Sequence, residues 1–527
     1  VTPYGIGLSL GQFGFRWVYD VTDYLPLFKD TLEISAGNQQ ELIDLKFLFI
    51  HGTPPRDVLD FKTIWRGDYG HANIANDISL PAVDIPLLPN ASNFKAKTRT
   101  TGHWFGGFQN CAEFCPKYHH LKVNGTKQFE WLNWKECSDN PVMAQGGTWL
   151  YDRAGWCPGT FGTTYDHEIT PFISPGDTSV NIDYGMEVTS GGMEGNYRTT
   201  VQLVSYGDYN FQNDAGITDV LAPNKWEFHS RINPICDQPQ ILLKNTGQQD
   251  LVSAQIDYWI CGGPHETLSW TGQLAFDQEI EVELPIPSQS FWDYARFCKD
   301  FHVEVMQVNG IADECLENNH YHTTFDVPPV YPEGIVLWTR TNLAANETKL
   351  YIRDVNGNIV FSKTNFQSNT LHKDTVNLAT GCYQLELDDT GEDGLDFFAN
   401  NDGSGFFQIR KTTGAPLAGF ESDFGKNIIH YFTVGYGLSI EENSNIFNFK
   451  CYPNPALNEL NVQTSGFVDE VHFEILDSFG KLVFKEKINL SKLKNDNSID
   501  ISNLNAGIYF IKVFDSYHVK TKRFIHK

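Results

Sequence analysis

Short runs in which apolar and polar residues alternate, each broken by Gly, Asn or Asp, recur along the chain: TLEISAG, LKVNGTKQFEWL, KLYIRDVNGNIVF and VHFEILDSFGKLVF. A period of two sends successive side chains to opposite faces, so each run predicts a half-buried strand or a hairpin. Asn356-Gly357, set between two β-rich runs, is a strong signal for a tight hairpin turn. Few stretches carry a helical period; FWDYARFCKDF, 291–301, is the best helix candidate. The pattern predicts an all-β protein of several sandwiches in series.

At 527 residues the chain is too long for one core and divides into roughly three to five units. A boundary near 212 precedes NDAGITDVLAPNKWEF, another near 328 is marked by PPVYPEG, and the polar SIEENSN, 439–445, reads as a linker. The expected units on this ground are therefore 1–212, 213–327, 328–438 and 449–527. No run approaches the length of a membrane span, and VTPYGIGLSL lacks the zones of a signal peptide, so a soluble chain starting after any targeting segment is expected.

Acidic residues outnumber Lys and Arg by 65 to 39, a formal net charge of −26, which excludes a nucleic-acid partner because phosphate binding needs surplus basic groups. The ten cysteines indicate an oxidising compartment, and their spacing matches neither a zinc pattern nor a CxxC redox motif. Proximity along the chain pairs Cys236 with Cys261 and Cys298 with Cys315, leaving Cys382 and Cys451 without an obvious partner.

The last unit contains CYPNPALNELNV, VHFEILDSFGKLVF, IDISNLNAGIYFIKVF and a basic end, KTKRFIHK. Val471, Phe473 and Ile475 alternate with polar neighbours, Gly480 ends a hairpin, and Gly507 opens a final strand of Ile508, Phe510 and Val513. These elements in this order resemble the C-terminal sorting domain of the type IX secretion pathway of Bacteroidota. The resemblance implies export across the outer membrane, a secreted or cell-surface location, and the type IX machinery as a partner.

NCAEFC, 110–115, holds one carboxylate, Glu113, between two cysteines. So short a loop gains little stability from a disulfide, because the entropy removed grows with the loop enclosed; what a clasp there does is fix Glu113. Cys111-Ala112-Glu113 with Cys115, then Cys137-Ser138 with Asn140-Pro141, then Asp152-Arg153-Ala154-Gly155-Trp156-Cys157-Pro158-Gly159, resemble the peptide:N-glycosidase F family, most strongly over 101–159. TPYG at 2–5, DVTDY at 20–24 and HGTP at 51–54 extend the likeness upstream. The resemblance, which covers residues 1 to about 212, implies tandem jelly rolls, with 1–57 the remainder of the first and 58–212 the second; the units 213–327 and 328–438 resemble the β-sandwich accessory domains of bacterial surface proteins, and 449–527 is expected to be a small C-terminal β-sandwich. The peptide:N-glycosidase F resemblance also implies disulfides Cys111–Cys115 and Cys137–Cys157, Glu113 as an active-site residue in the cleft between the jelly rolls, and Arg153 as a substrate contact.

Amide hydrolysis at a glycosylated asparagine needs a carboxylate to orient or deprotonate water and an acid for the leaving glycosylamine. No cofactor is required. Glu113 is the candidate catalytic residue; Arg153, Trp104, Tyr4 and His103 are candidates for substrate binding, and Trp156 is expected to pack on its disulfide. The expected partner is an N-linked glycoprotein or glycan, and the alternative is a non-catalytic glycan-binding or adhesive surface protein. The family's principal aspartate aligns before Val1, a second carboxylate falls near Gly37, and His103 stands where the family has tryptophan. A missing N-terminal segment or chain completing the first jelly roll is accordingly expected.

Tandem jelly rolls also resemble the copper-dependent peptidylglycine monooxygenase, but His103, His119 and His120 with only four Met do not assemble its ligand set. Adjacent His119 and His120 are expected on opposite faces of a strand. DDTGEDGLDFFANNDGSG, 388–405, clusters carboxylates and glycines, and Asp388, Asp393 and Asp396 are its candidate ligands for a structural calcium, outside EF-hand spacing.

Overall fold

The computed structural model describes residues 10, 14–35, 43–104, 111–189, 193–437, 448–465, 471–477, 480–488, 496–514 and 519–527. They form two compact units, Val1–Leu438 and Ser439–Lys527.

The first eight strands are β1 (Arg56–Gly70), β2 (Val83–Pro86), β3 (Asn93–His103), β4 (Tyr118–Val123), β5 (Thr126–Leu132), β6 (Thr164–Glu168), β7 (Ser179–Met186) and β8 (Asn196–Tyr209). They pair in the orders β1-β8-β3-β6 and β2-β7-β4-β5, two facing antiparallel sheets with the strand order of a jelly roll. Inward residues from both sheets, Ala96, Leu121, Ile182, Tyr184, Val201 and Leu203 among them, make one core. His119 points into it, fully buried and 2.8 Å from the Tyr184 hydroxyl, and burial pushes its imidazole down to about 3. His120 faces outward beside Gly185.

The strands expected of a first jelly roll in 1–57 are not formed among the described residues. Among the described residues, a 3-10 turn, Thr22–Leu27, is the regular element before β1. It rides on the β1 sheet: Tyr24 lies 4.6 Å from the Phe61 ring, and Asp23 accepts from Lys97 and Tyr206 at 2.6 Å each. Its side chains contact the face of that sheet, and among the described residues before β1 none pairs with it as a strand.

The next region contains β9 (Ala215–Ala222), β10 (Gln240–Asn245), β11 (Leu251–Ile260), β12 (Glu266–Leu274), β13 (Glu279–Glu283), β14 (Asp300–Val308), β15 (Ile311–Ala312) and β16 (His320–Thr324). One sheet runs β13-β10-β9, the other β12-β11-β14-β15 with β16 also on β14. The helix expected at 291–301 is a 3-10 helix, Gln289–Arg296, and its last expected residues open β14 instead.

A third pair of sheets comprises β17 (Val330–Tyr331), β18 (Gly334–Arg340), β19 (Thr348–Asp354), β20 (Ile359–Lys363), β21 (Leu371–Asn377), β22 (Gly381–Asp389), β23 (Phe406–Lys411), β24 (Pro416–Gly419) and β25 (Asn427–Val434). They pair as β17-β25-β22-β19-β20 and β21-β18-β23-β24. Asn356-Gly357 forms the β19–β20 turn, with Gly357 at φ +75°.

The disulfides correct the pairing inferred from proximity along the chain. Cys261 bonds Cys298, because β11 and β14 are neighbours with Ile260 opposite Phe301. Cys236 bonds Cys382, joining the second and third sandwiches across 146 residues; Cys315 is a buried free thiol. A loop of that length makes this bond worth about 5 kcal/mol on chain entropy. The double variant Cys236→Ser/Cys382→Ser is expected to melt well below the parent in calorimetry, a far larger drop than opening the four-residue Cys111–Cys115 clasp.

In the C-terminal unit, Val471, Phe473 and Ile475 are fully buried. The strand Gly507–Phe514 buries Tyr509, Ile511 and Val513 while Ile508 and Phe510 face out, and a further strand, Val519–His526, pairs with it. The expected final strand is thus the last but one, with its apolar phase shifted by one residue over Ile508 and Phe510.

Candidate active site

The end of β3 and two loops build the site. Gly102 must be glycine, since a Cβ there would lie 1.9 Å from the Ala112 carbonyl oxygen; at Gly155, φ +74°, a Cβ would lie 2.1 Å from that of Thr100. These approaches press the 111–115 loop, closed by Cys111–Cys115, onto the strand end. Backbone bonds complete the register: Glu113 N–H to Trp104 O at 3.1 Å, Ala154 N–H to Glu113 O at 2.8 Å, and Lys135 and Arg153 bonded reciprocally at 2.8 and 3.1 Å. Cys137–Cys157 closes the base of the second loop.

Glu113 is held by both carboxylate oxygens. Oε1 accepts from Arg153 Nε at 3.2 Å and Oε2 from the Trp104 N–H at 3.2 Å. The Arg153 side chain is 1% exposed and that of Glu113 14%. Arg153 also donates to the carbonyls of Trp149, Tyr151 and Thr148 and to Thr148 Oγ1, and its guanidinium lies 4.8 Å from the Phe114 ring and 5.2 Å from that of Trp156. The arginine is thereby fixed against Glu113, and its side chain also lines the cavity.

Glu113 opens onto a cavity of about 810 Å³ whose wall also includes Phe114, Trp134, Tyr151, Asp152, Gly391 and Glu392. The cleft thus lies between the jelly roll and the third sandwich, whereas the sequence places it between two jelly rolls. Trp149 anchors the junction, donating to Asp423 at 3.0 Å and packing with Leu150 and Phe397; Arg231 ties Asn140 to Phe424 and Asn427. Two further acids line the cleft. Asp152 accepts from Cys137 N–H at 2.9 Å and Glu392 from Ser138 Oγ at 3.1 Å, and burial raises both above the ordinary carboxylate range.

Trp104 borders Glu113 through its backbone at φ +108°, and its side chain is exposed. His103 is half-buried, bonds Thr101 Oγ1 at 2.9 Å and packs 5.6 Å from Trp156; burial lowers its imidazole against the opposing pull of Glu113. Neither His103 nor Trp104 lines the cavity. Trp156 donates to Gly102 O at 2.9 Å as a packing residue. Tyr4 and Gly37 lie outside the described residues. Phe114, Tyr151 and Asp152 sit within or beside the motifs that marked Glu113 and Arg153, so the sequence held a signal for them; Glu392 comes from a distant domain and had none.

The acidic loop gathers a different set from the one its sequence suggested. Glu347, Asp389 and Asp393 bring carboxylate oxygens within 4.8 Å of one another, while Asp388 lies on the opposite face of β22 beside Glu386, and Asp396 is outside the group. Asp389 is 3% exposed and Asp393 Oδ1 is buried without a hydrogen-bond partner. Burial pushes Asp389 up to about 7.

With this geometry in view, the chain carries two recognisable domains. Residues 72–205 match the family described as peptide-N-glycosidase F, C terminal, and residues 450–527 match the secretion system C-terminal sorting domain. The latter marks the protein for type IX export to the cell surface or beyond. The peptide-N(4)-(N-acetyl-beta-D-glucosaminyl)asparagine amidase F of Elizabethkingia miricola is 30% identical over 184 residues, an alignment covering 30% of this chain and 49% of the relative; the chain thus spans about half that relative's length. Among solved structures, the glycosylasparaginase PNGase F of Flavobacterium meningosepticum is 23% identical over 30% of this chain and 55% of that one, TM-score 0.26. A Ruminococcus gnavus beta-glucuronidase is 8% identical over 48% and 35%, TM-score 0.19.

Proposed function

We propose that this exported protein hydrolyses the side-chain amide of glycosylated asparagine in N-linked glycoproteins. The observation that carries the reading is Glu113, clamped by Arg153 and the Trp104 N–H in the wall of a sugar-sized cleft that holds two more carboxyls raised by burial. In this reading Glu113 orients and deprotonates the water that attacks the amide carbonyl carbon. Collapse of the tetrahedral intermediate breaks the C–N bond, and Asp152 or Glu392, protonated more readily than an exposed acid, gives its proton to the departing glycosylamine. Phe114, Trp134 and Tyr151 offer apolar faces for sugar rings. The test is turnover of a glycopeptide: free glycan and an aspartate-containing peptide support the reading. Retention of glycan with no release supports the alternative, a glycan-binding or adhesive surface protein.

The same reading includes a structural calcium at Glu347, Asp389 and Asp393, whose loop delivers Gly391 and Glu392 to the cleft. Oxygen-rich sites suit Ca2+, and Asp393, one of the three, keeps its Oδ1 buried without a hydrogen-bond partner. With the Asp389 carboxyl raised to about 7 in the folded state from an unfolded value near 4, its contribution to metal-free stability is present below about pH 4 and is lost as pH rises through 7. Calcium prefers the ionised form, so the rise in melting temperature on adding calcium after chelation is expected to be larger at pH 7.5 than at pH 5. Equal or absent rises at both would remove the ion from the reading.

A further inference from the structure

One acid in the cleft wall comes from outside the jelly roll. Glu392 follows β22 in a turn closed by its own N–H on Asp389 O at 3.2 Å, and it takes φ +62°, a left-handed backbone that a side chain disfavours. The jelly roll holds this turn in place. Lys426 N–H donates to Ser138 O at 3.0 Å, a Cβ on Gly425 would lie 2.0 Å from the same oxygen, and Ser138 Oγ donates to Glu392 Oε2 at 3.1 Å. A glutamate kept in an unfavourable backbone conformation at the wall of a cleft points to a role for its side chain there.

The charges around the cleft indicate that role. Arg153 is the cation among the described residues that line the cavity, and its charge is matched by Glu113 at 3.2 Å. Asp152 and Glu392 carry what remains. Asp152 is held by the Cys137 N–H and by Trp134. Glu392 accepts only from Ser138 among the described residues, which leaves Oε1 without a hydrogen-bond partner. Burial raises the Glu392 carboxyl, Glu136 and Asp152 add to the rise, and Lys426, which is paired with Glu136, opposes it. A carboxylate so placed gains more from an arriving cation than an exposed one does. The rings of Phe114, Trp134 and Tyr151 in the same wall attract cations through their faces as well. Glu113 and Glu392 line one cavity, so a substrate amide at Glu113 brings its neighbouring peptide residues to Glu392. Outer sugars of a glycan reach away from that point, and charge on them is screened beyond about 8 Å at physiological salt.

We propose that Glu392 is a specificity-determining residue, through which the cleft selects glycopeptides with lysine or arginine beside the glycosylated asparagine. The inference rests on the reading of the cleft as a glycosylasparagine site. The test uses the full chain and three fluorescent glycopeptides that carry one neutral glycan and differ only in the two residues flanking the asparagine, both Lys, both Gln or both Glu. Anisotropy at neutral pH and about 0.01 M salt is expected to rank them Lys, Gln, Glu, with about tenfold between the ends. At about 1 M salt, where the screening length falls to about 3 Å, the span is expected to shrink to about twofold. Glu392→Gln, which can still accept from Ser138, is expected to shrink it likewise at low salt. Glu392→Gly relieves the backbone and gives the same result if the glutamine variant folds poorly by circular dichroism. Equal affinities for the three peptides, a ranking that both Glu392 variants keep, or no binding of the Lys glycopeptide at millimolar concentration overturns the proposal. Glycan release is scored separately: charge-ranked binding that depends on Glu392 without release from any peptide upholds this selectivity and removes the hydrolytic reading, and release without charge ranking does the reverse.

Discussion

Glu113→Gln is expected to lower the rate of glycan release from a glycopeptide by about a thousandfold, within the range of 10²–10⁴ for losing a general acid–base group. The substitution is nearly isosteric, but its chemistry differs at both oxygens. In the parent, Oε1 and Oε2 each accept from a donor, Arg153 Nε and the Trp104 N–H. A glutamine has one acceptor oxygen, so its NH2 must face one of those donors, at a cost of roughly 1–3 kcal/mol. The fold tolerates this because the two disulfides and the backbone bonds of Glu113 and Ala154 keep the loop in place. The expected outcome is a folded protein, within a few degrees of the parent's melting point, that still binds glycan and does not release it. If release by the variant matches the parent, Glu113 is not the group that activates water. Product quantified by mass spectrometry and binding measured on immobilised glycopeptide separate the two steps.

Much of this site was legible in the sequence because its parts are local. Glu113 sits inside a four-residue clasp and Arg153 four residues before Cys157, so two short motifs carry the pair; their contact at 3.2 Å joins loops that one jelly roll brings together. The all-β pattern was legible for the same reason, since alternation is a property of adjacent residues. What the sequence hid depends on long-range packing. Glu392 reaches the cleft only because the third sandwich docks on the 137–149 loop through Trp149, Phe397 and Arg231. Cys236 meets Cys382 by the same docking, whereas nearness along the chain favoured Cys261. In the acidic loop, composition pointed to the region, but the members of the cluster depend on which face of β22 each side chain takes and on Glu347 from before β19. The N-terminal motifs suggested strands, yet their described residues contribute side chains to the outside of the β1-β8-β3-β6 sheet. The burial of Arg153 likewise has no sequence signature: the side chain lines the cavity and also holds the Glu113 carboxylate, a positioning role added to the expected substrate contact.

Arg153→Met is the sharper test of that role, with an expected loss of about 3–5 kcal/mol in stability. The methionine fills much of the volume, so the cost is electrostatic: Glu113, 14% exposed, keeps only the Trp104 N–H, and the carbonyls of Thr148, Tyr151 and Trp149 lose a donor inside the fold. A loss of this size lowers the melting temperature of a unit of this kind by roughly 10 °C. Arg153→Lys is expected to recover little of it, because an ammonium presents three donors from one point and cannot span a planar set of acceptors reaching from Glu113 to Thr148. Stability alone does not distinguish a positioning residue from an ordinary buried cation, so the decisive readout is kinetic. If Arg153 holds Glu113 for the attack on the amide, kcat falls at temperatures where the variant is fully folded while KM changes little. A substrate-binding arginine raises KM instead. In the Glu113→Gln background the same substitution is expected to cost less stability, since the charge it would strand is already gone, and a double-mutant cycle reports the difference as coupling. Zero coupling would show that the 3.2 Å contact does not hold the carboxylate, and the water-activating assignment of Glu113 would lose its structural basis.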